Sequence, residues 1–296
     1  MNRLLQSVHA LLRSFRLWAT VGGLAITALA ILVLLGHVPM PAVQTFDRLN
    51  QDHRLRWQPP EFEPRVLIVD IDEKSLQEQG RWTWPRRTLA RLVERIVDEG
   101  QARVLGFDIV FAEPEPAGDL SLAEAIRSRP VVLGYYFSRQ AGAHRIGRLP
   151  SSVFEGEVFD GWLLQQWDGF GANQERLSDA ARSSGFYNAQ LDDDGVVRSV
   201  PVLTLFNGQV YESLALAMLR VYGDNPPIAL DGQLLSLDAQ TRLPLARDLT
   251  ARVPFAGQAG PQAGRFEYIS ATDVIEGRVD PARFRDRIVL VGASAP

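Results

Sequence analysis

The sequence predicts an α/β fold, a mostly parallel sheet with flanking helices and an added hairpin region, preceded by one transmembrane helix. Short apolar segments alternate with helical segments in the order strand, helix, strand, helix, strand, which implies parallel pairing with right-handed crossovers. One uncharged segment near the amino terminus is long enough to cross a bilayer. The 296 residues, 46% of them hydrophobic and 22% charged, are typical of a globular chain with one or two domains.

The predicted central strands are almost continuously apolar. "RVLIVDID" (65–72) has the pattern of a strand that is buried on both faces. "RVLGFDIVF" (103–111) and "PVVLGYYF" (130–137) follow it, and "RIVLVGASAP" (287–296) is a further buried strand that ends in a glycine turn. We expect these segments to form the parallel part of the sheet.

Amphipathic segments connect these strands. "PRRTLARLVERIVDEG" (85–100) starts with proline, ends with glycine and keeps its apolar residues on one helical face. Further helices are predicted at 121–127, 175–183 and 211–223. Residues 138–184 are otherwise irregular, and we interpret them as an insertion or a second sublayer.

Residues 17–38 contain no formally charged side chain. About 20 apolar residues suffice to cross a bilayer, whereas the apolar part of a cleaved signal peptide has only ~7 to 15, so we predict an uncleaved anchor. Arg13 and Arg16 precede this segment and Arg48 is the first arginine after it, which places the amino terminus in the cytoplasm. The predicted parts are a cytoplasmic tail (1–16), a transmembrane helix (17–38), a tether (39–64) and an extracytoplasmic domain (65–296).

The predicted location is therefore the inner (cell) membrane, with the main domain periplasmic or extracellular. Ala19, Gly23 and Thr27 recur at every fourth residue of the anchor. Such a stripe of small residues lets two helices approach closely, which predicts a homodimer.

The composition argues against several kinds of site. Cysteine is absent, which excludes disulfides, thiolate metal sites and cysteine nucleophiles, and the four histidines are too dispersed for a clustered metal site. A net charge of −4 argues against a protein that binds the nucleic-acid backbone. We predict no metal, no cofactor and no nucleic-acid partner.

Three aspartates are expected at the carboxyl ends of adjacent parallel strands, where open α/β sheets place their ligands. Asp70 and Asp72 end the first strand, and Asp108 lies near the end of the second. They are the first candidates for a ligand site. For each aspartate taken alone, the pattern favours a structural role, in which the carboxylate caps the next helix or pairs with Arg86 and Arg87.

A strand followed by D-x-D is also typical of phosphatases of the haloacid dehalogenase type, with one aspartate as nucleophile and the other as acid/base. Asp70 and Asp72 would take these roles. Those enzymes want Thr or Val two residues after the second aspartate and a lysine further along, whereas here Lys74 holds the first position and is the only lysine. A membrane-tethered phosphohydrolase remains the alternative function, and we predict that the chain is not an enzyme.

"RWTWPRR" (81–87) combines two tryptophans with arginines. One interpretation is a lip in which Trp84 and Arg86 contact a ligand. The other is a helix start at which Trp82 and Trp84 pack on the edge of the sheet.

"QLDDDGVVRS" (190–199) has three acids in a row but does not fit an EF-hand loop, because Pro201 stands where the bidentate carboxylate belongs. Apolar residues flank the Asp194-Gly195 step, which predicts a hairpin turn. Arg198 is expected to fold back onto the acids as a surface ion pair.

Three motifs in order resemble the type-two CHASE sensor domains, which lie outside the membrane in bacterial receptors. The motifs are "VLIVDIDEKSLQEQGRWTWPRRTLARLVERIVDEGQARVLGFDIVFAEP", "SGFYNAQLDDDGVVRSVPVL" and "ISATDVIEGRVDPARFRDRIVLVGASA". The resemblance spans about residues 43–295. It implies an amino-terminal anchor, an extracytoplasmic α/β sensor and a cytoplasmic output domain, such as an adenylate cyclase, a histidine kinase or a protein kinase, that is not in this chain.

The residues that match the family motifs are Asp72, Trp84, Pro85, Arg86 and Asp108 in the first, Asp194, Gly195 and Arg198 in the second, and Gly292, Ala293 and Ser294 in the third. The family's ligands are poorly defined, so the matches identify the domain without assigning binding roles. The resemblance implies a membrane-anchored sensory domain with an unknown small-molecule ligand. A dimerisation module that binds no ligand is a further alternative.

Overall fold

The computed structural model describes residues 18–33, 62–140, 145–154, 159, 162, 164–192, 194–253, 260 and 265–294. The chain divides into two units, Met1–Gln58 and Pro59–Pro296. In the first unit, residues 18–33 form helix α1. The other residues of the predicted transmembrane helix, the predicted tail (1–16) and residues 39–61 of the predicted tether lie outside the described residues. Within the described part of the chain, no helix is long and apolar enough to cross a membrane.

The second unit is a mixed α/β structure. Its strands, in chain order, are β1 (Val66–Ile71), β2 (Val104–Phe107), β3 (Val131–Ser138), β4 (Arg145–Ile146), β5 (Gly169–Gly171), β6 (Ser183–Phe186), β7 (Ser199–Pro201), β8 (Leu203–Phe206), β9 (Gln209–Glu212), β10 (Ala229–Asp231), β11 (Leu234–Ser236), β12 (Arg242–Pro244), β13 (Thr250–Arg252), β14 (Glu267–Ser270) and β15 (Ile288–Ala293). Its α-helices are α2 (Glu73–Gln79), α3 (Arg86–Val93), α4 (Pro116–Ile126), α5 (Glu175–Ala180), α6 (Leu214–Tyr222) and α7 (Ala271–Ile275).

The mainly parallel central sheet is confirmed. Eight strands form it, and the order β14-β1-β15-β2-β3 is parallel throughout. β6 continues the parallel pairing along the first half of β3, and β5 pairs antiparallel with its second half. The last strand of the chain, β15, therefore lies between the first two.

The helix predicted at 85–100 is two segments in succession. α3 continues directly into a π-helical segment, Glu94–Glu99, and the apolar residues of both face the sheet. α4 begins earlier than predicted, at Pro116, because proline suits the first turn of a helix.

One face of the sheet forms the main core. Leu67, Val69 and Ile71 of β1 are fully buried, and they pack with the apolar side chains of α3, α4, α5 and α7. Burying such a side chain contributes about 1.5–3 kcal/mol. Alternate positions of β1 thus supply much of the core.

The opposite face is covered only in part, contrary to the expectation of strands buried on both faces. α6 packs against β2, β3 and β6 through residues such as Ala217 and Met218. Gly106 makes room for this contact, since a Cβ there would lie 2.2 Å from the Met218 sulfur. Ile68 and Leu290 nearer the other edge are only half-buried, so the described residues cover this face less completely beside β1 and β15.

The irregular region predicted at 138–184 belongs partly to a second layer. Phe159 packs in a separate apolar cluster with residues of β7 to β13, such as Leu203, Val210 and Leu235. These strands form three small antiparallel sheets, among them the hairpin β8-β9.

Gly185 tests how tightly α6 docks. Gly185→Ala places a Cβ 2.5 Å from the backbone N and Cα of Leu214 at the start of α6. Because a backbone cannot rotate away as a side chain can, we expect a loss of about 1–3 kcal/mol in the free energy of unfolding, measured by urea denaturation. In Gly223→Ala the nearest atom is 3.6 Å away, so this control should change stability by less than about 0.5 kcal/mol. A neutral Gly185→Ala variant would contradict the close packing.

Candidate functional site

Asp70, Gly292 and Asp108 form one row across three adjacent strands at their carboxyl ends. Asp70 is in register with Gly292, and Asp108 directly follows Phe107, the partner of Val291. Gly292 has no side chain, and a Cβ at its position would lie 3.7 Å from the Asp108 Cβ. Since strands are about 4.8 Å apart, the two carboxylates stand on either side of a gap above the glycine.

Asp70 is nearly buried, and both of its carboxylate oxygens accept hydrogen bonds. The Ser294 backbone N–H donates to Oδ1 (3.1 Å) and the Ser294 hydroxyl to Oδ2 (2.7 Å). These bonds connect the end of β15 to β1. The "GASA" motif is thereby explained as a partner of the first strand, a relation that the sequence alone does not show.

Asp72 is the N-cap of α2. Its Oδ1 accepts hydrogen bonds from the Ser75 backbone N–H (2.8 Å), the Ser75 hydroxyl (2.7 Å) and the Ser270 hydroxyl (2.8 Å). Burial raises the pKa of this carboxyl, but the bonds from Ser75 and Ser270 outweigh that effect and lower the pKa below its usual value. Asp72 therefore has the capping role that the sequence left open.

Asp108 differs from both, because its carboxylate accepts no hydrogen bond and forms no ion pair with the described residues. Solvent reaches it, yet the surrounding strands desolvate it enough to raise its pKa. Burial and the charge of Asp108, together with Tyr136, raise the pKa of Tyr187 to about 12. The rings of Tyr136 and Tyr187 are 6.2 Å apart.

We call Asp70, Gly292, Asp108, Tyr136 and Tyr187 the carboxyl-edge site. It offers one fixed carboxylate, one unpaired carboxylate and two phenol rings. The sequence analysis missed both tyrosines. Tyr187 directly follows β6 and lies within the second family motif, "SGFYNAQLDDDGVVRSVPVL".

Trp84 and Arg86 do not contribute to this site. Trp84 is 1% exposed within the main core. Arg86 is 7% exposed, lies 4.6 Å from the centre of the Phe111 ring and pairs with Asp119 at 3.4 Å. Their positions fit the interpretation of a helix start rather than a lip that contacts a ligand, and Arg86 pairs with neither Asp70 nor Asp72.

The acidic stretch at 190–199 is a turn. Gly195 has a φ of 78°, and the Asp192 backbone N–H donates to the Val196 carbonyl (3.0 Å). Arg198 donates to Asp192 and Asp194, each at 2.9 Å, and its hydrogen bond holds the pKa of Asp194 below the usual range. The turn and the returning arginine are confirmed. Gln190 and Ser199 form one antiparallel bridge across the turn, as in a hairpin, whereas β6 pairs with β3 and β7 with β13.

The arrangement does not favour a phosphohydrolase. Both oxygens of Asp70 accept hydrogen bonds from Ser294 and Asp72 caps a helix, so each carboxylate has a structural role. Lys74 donates instead to both oxygens of Asp273 (2.6 and 2.8 Å). No group of three His, Cys, Asp or Glu side chains among the described residues is suited to hold a metal ion.

Asp72→Ala should lower the free energy of unfolding by about 1–2 kcal/mol, because α2 loses its cap. Asp72→Asn keeps a capping side chain and should lose less. The Asp72 pKa is lower in the folded state, so its ionic contribution is full above the unfolded pKa of about 3.9 and is lost as pH falls through the folded pKa. Urea unfolding of wild type and Asp72→Asn at neutral and acidic pH measures the ionic contribution. If the difference in their free energies of unfolding did not change with pH, the ionic contribution of Asp72 would be contradicted.

Asp108→Asn should stabilise the protein at pH 7, by less than about 1 kcal/mol because the group is partly exposed. Its folded pKa is raised, so the ionised form disfavours the folded state at high pH. This gain in stability should disappear below the unfolded pKa of about 3.9, where Asp108 is protonated in both the folded and the unfolded state. Thermal unfolding at several pH values tests this. Asp231→Asn, at an exposed position of β10, is the matched control. A loss of stability at pH 7 would show that Asp108 has a structural partner.

Comparison with known families agrees with this architecture. The model of the CHASE2 domain matches residues 25–296. No curated protein and no solved structure matches the chain. The match covers most of the chain, including every residue of the carboxyl-edge site, and we conclude that this chain belongs to the CHASE2 family of extracytoplasmic sensor domains.

Proposed function

We propose that the chain is the membrane-anchored sensory part of a bacterial signal-transduction receptor and that a small-molecule ligand binds at the carboxyl-edge site. One observation carries the position of the site, namely the unpaired Asp108 carboxylate beside Gly292. The Asp108 side chain is exposed, and partial burial by its surroundings raises its pKa. The carboxylate is therefore accessible to a ligand, whose hydrogen-bond donors would favour its ionised form.

The elements around Asp108 support a binding role. The hydrogen bonds from Ser294 hold the Asp70 carboxylate in one orientation, so this carboxylate forms a fixed side of the proposed site. Tyr136 is 38% exposed and offers both a ring and a hydroxyl. Ligands of open α/β sheets bind in this position, beyond the carboxyl ends of the strands. A ligand with hydrogen-bond donors or a positive charge would complement the carboxylates.

The proposed receptor is a homodimer in the inner membrane, with its amino terminus in the cytoplasm. The Ala19, Gly23 and Thr27 stripe lies on α1, where the Thr27 hydroxyl donates to the Gly23 carbonyl (2.9 Å). That bond satisfies the hydroxyl within the helix and leaves a small-residue surface for a second copy. Ligand binding would change the packing between protomers and pass the signal to an output domain, a cyclase or a kinase.

The test is a thermal-shift screen of small molecules on the full chain in detergent micelles. We expect a compound that raises the melting temperature of the wild type and of Asp231→Asn but has little effect on Asp108→Asn. Asp108→Asn keeps the shape of the site and removes only the charge. A compound that stabilises all three proteins equally would overturn the position of the site. Absence of any stabilising compound in a broad screen would favour the dimerisation module.

A further inference from the structure

We propose a second binding site, separate from the carboxyl-edge site, that takes a small organic carboxylate with a planar apolar body. The site is a cavity of about 410 Å³ at the end of β3, lined by Phe137, Arg139, Trp167, Asn188 and Leu191 among others. This volume lies within the range of small-molecule sites. We call it the Arg139 cavity.

Arg139 carries the argument for an anionic ligand. Its guanidinium lies 5.1 Å from the centre of the Trp167 ring, and it forms no ion pair or hydrogen bond with the described residues. Among the described residues that line the cavity, Arg139 alone is charged. The contact with the Trp167 ring leaves the guanidinium N–H groups available for two parallel bonds to a carboxylate.

The wall behind Arg139 is held rigidly. The Trp167 indole N–H donates to the Thr204 hydroxyl (2.7 Å), and its ring stacks on Phe137 at 5.6 Å with an interplanar angle of 28°. The position of the ring is thus fixed from two sides. A preformed wall lowers the entropy cost of binding.

The opposite rim is fixed by Asn188. Its side-chain oxygen accepts from the Phe137 N–H and its amide group donates to the Phe137 carbonyl, both at 2.8 Å. Asn188 therefore continues the sheet in the manner of a strand residue. Leu191 lies a few residues further on and is 65% exposed. A ligand whose apolar body covers Leu191 and Trp167 removes apolar surface from water.

The test compares 3-phenylpropanoate with its neutral analogue 3-phenylpropanamide, by isothermal titration of the full chain in detergent micelles. The wild type should bind the carboxylate at least about tenfold more tightly than the amide. Arg139→Gln should abolish this preference while leaving the melting temperature unchanged, because the side chain is exposed. Arg145→Gln is the matched control, since Arg145 also stacks on a ring, that of Phe206 at 5.3 Å, but does not line the cavity.

Three results would overturn the proposal: no binding of the carboxylate at about 10 mM, equal affinity for the amide, or undiminished binding by Arg139→Gln. Asp108→Asn should bind the carboxylate as the wild type does. Removing the negative charge would strengthen the binding of an anion at the carboxyl-edge site, so tighter binding by that variant would assign the carboxylate to that site and overturn the proposal as well. The outcome for the Arg139 cavity is thus independent of the proposed sensory ligand.

Discussion

The pair of hydrogen bonds from Ser294 to Asp70 joins residues that are 224 positions apart. Asp70 ends the first strand, and Ser294 directly follows the last strand, which lies in the middle of the sheet between β1 and β2. The central sheet is therefore complete only when both ends of the extracytoplasmic segment have met. Every element that surrounds the carboxyl-edge site depends on this contact, because the gap at Gly292 exists only with β15 in place.

The three aspartates show how one residue type takes different roles on one sheet edge. Serines donate to both oxygens of Asp70 and to Oδ1 of Asp72, whereas no described residue donates a hydrogen bond to the Asp108 carboxylate. The Asp108 side chain is exposed, so its carboxylate is accessible to a ligand, whereas the Asp70 carboxylate is nearly buried. The Arg139 cavity offers the opposite charge, since the exposed guanidinium lies over the Trp167 ring and donates to no acceptor among the described residues.

Sequence patterns predicted the parallel strands, the position of α3 and the turn at Gly195, because each follows from local chemistry. Apolar runs, a helix-starting proline and an Asp-Gly step act within a few residues. The expectation of strands covered on both faces was wrong for β1, since α6 covers only part of one face. The apolar content of a strand does not predict how many helices cover each face of its sheet. Trp84 and Arg86 lie in the core for a related reason, because their partners, such as Phe111 and Asp119, come from later segments.

The sequence by itself determined the family, the α/β class and the aspartates at the strand ends, since ordered motifs and local periodicity record these directly. The tertiary structure decided which aspartate is free. That choice depends on Ser270, Ser294 and Tyr187, which reach the edge from distant strands. It also decided that Arg139 stacks on Trp167 beside an open cavity. Partners so far apart in the chain leave no local signal in the sequence, because their contacts form only when the strands assemble into the sheet.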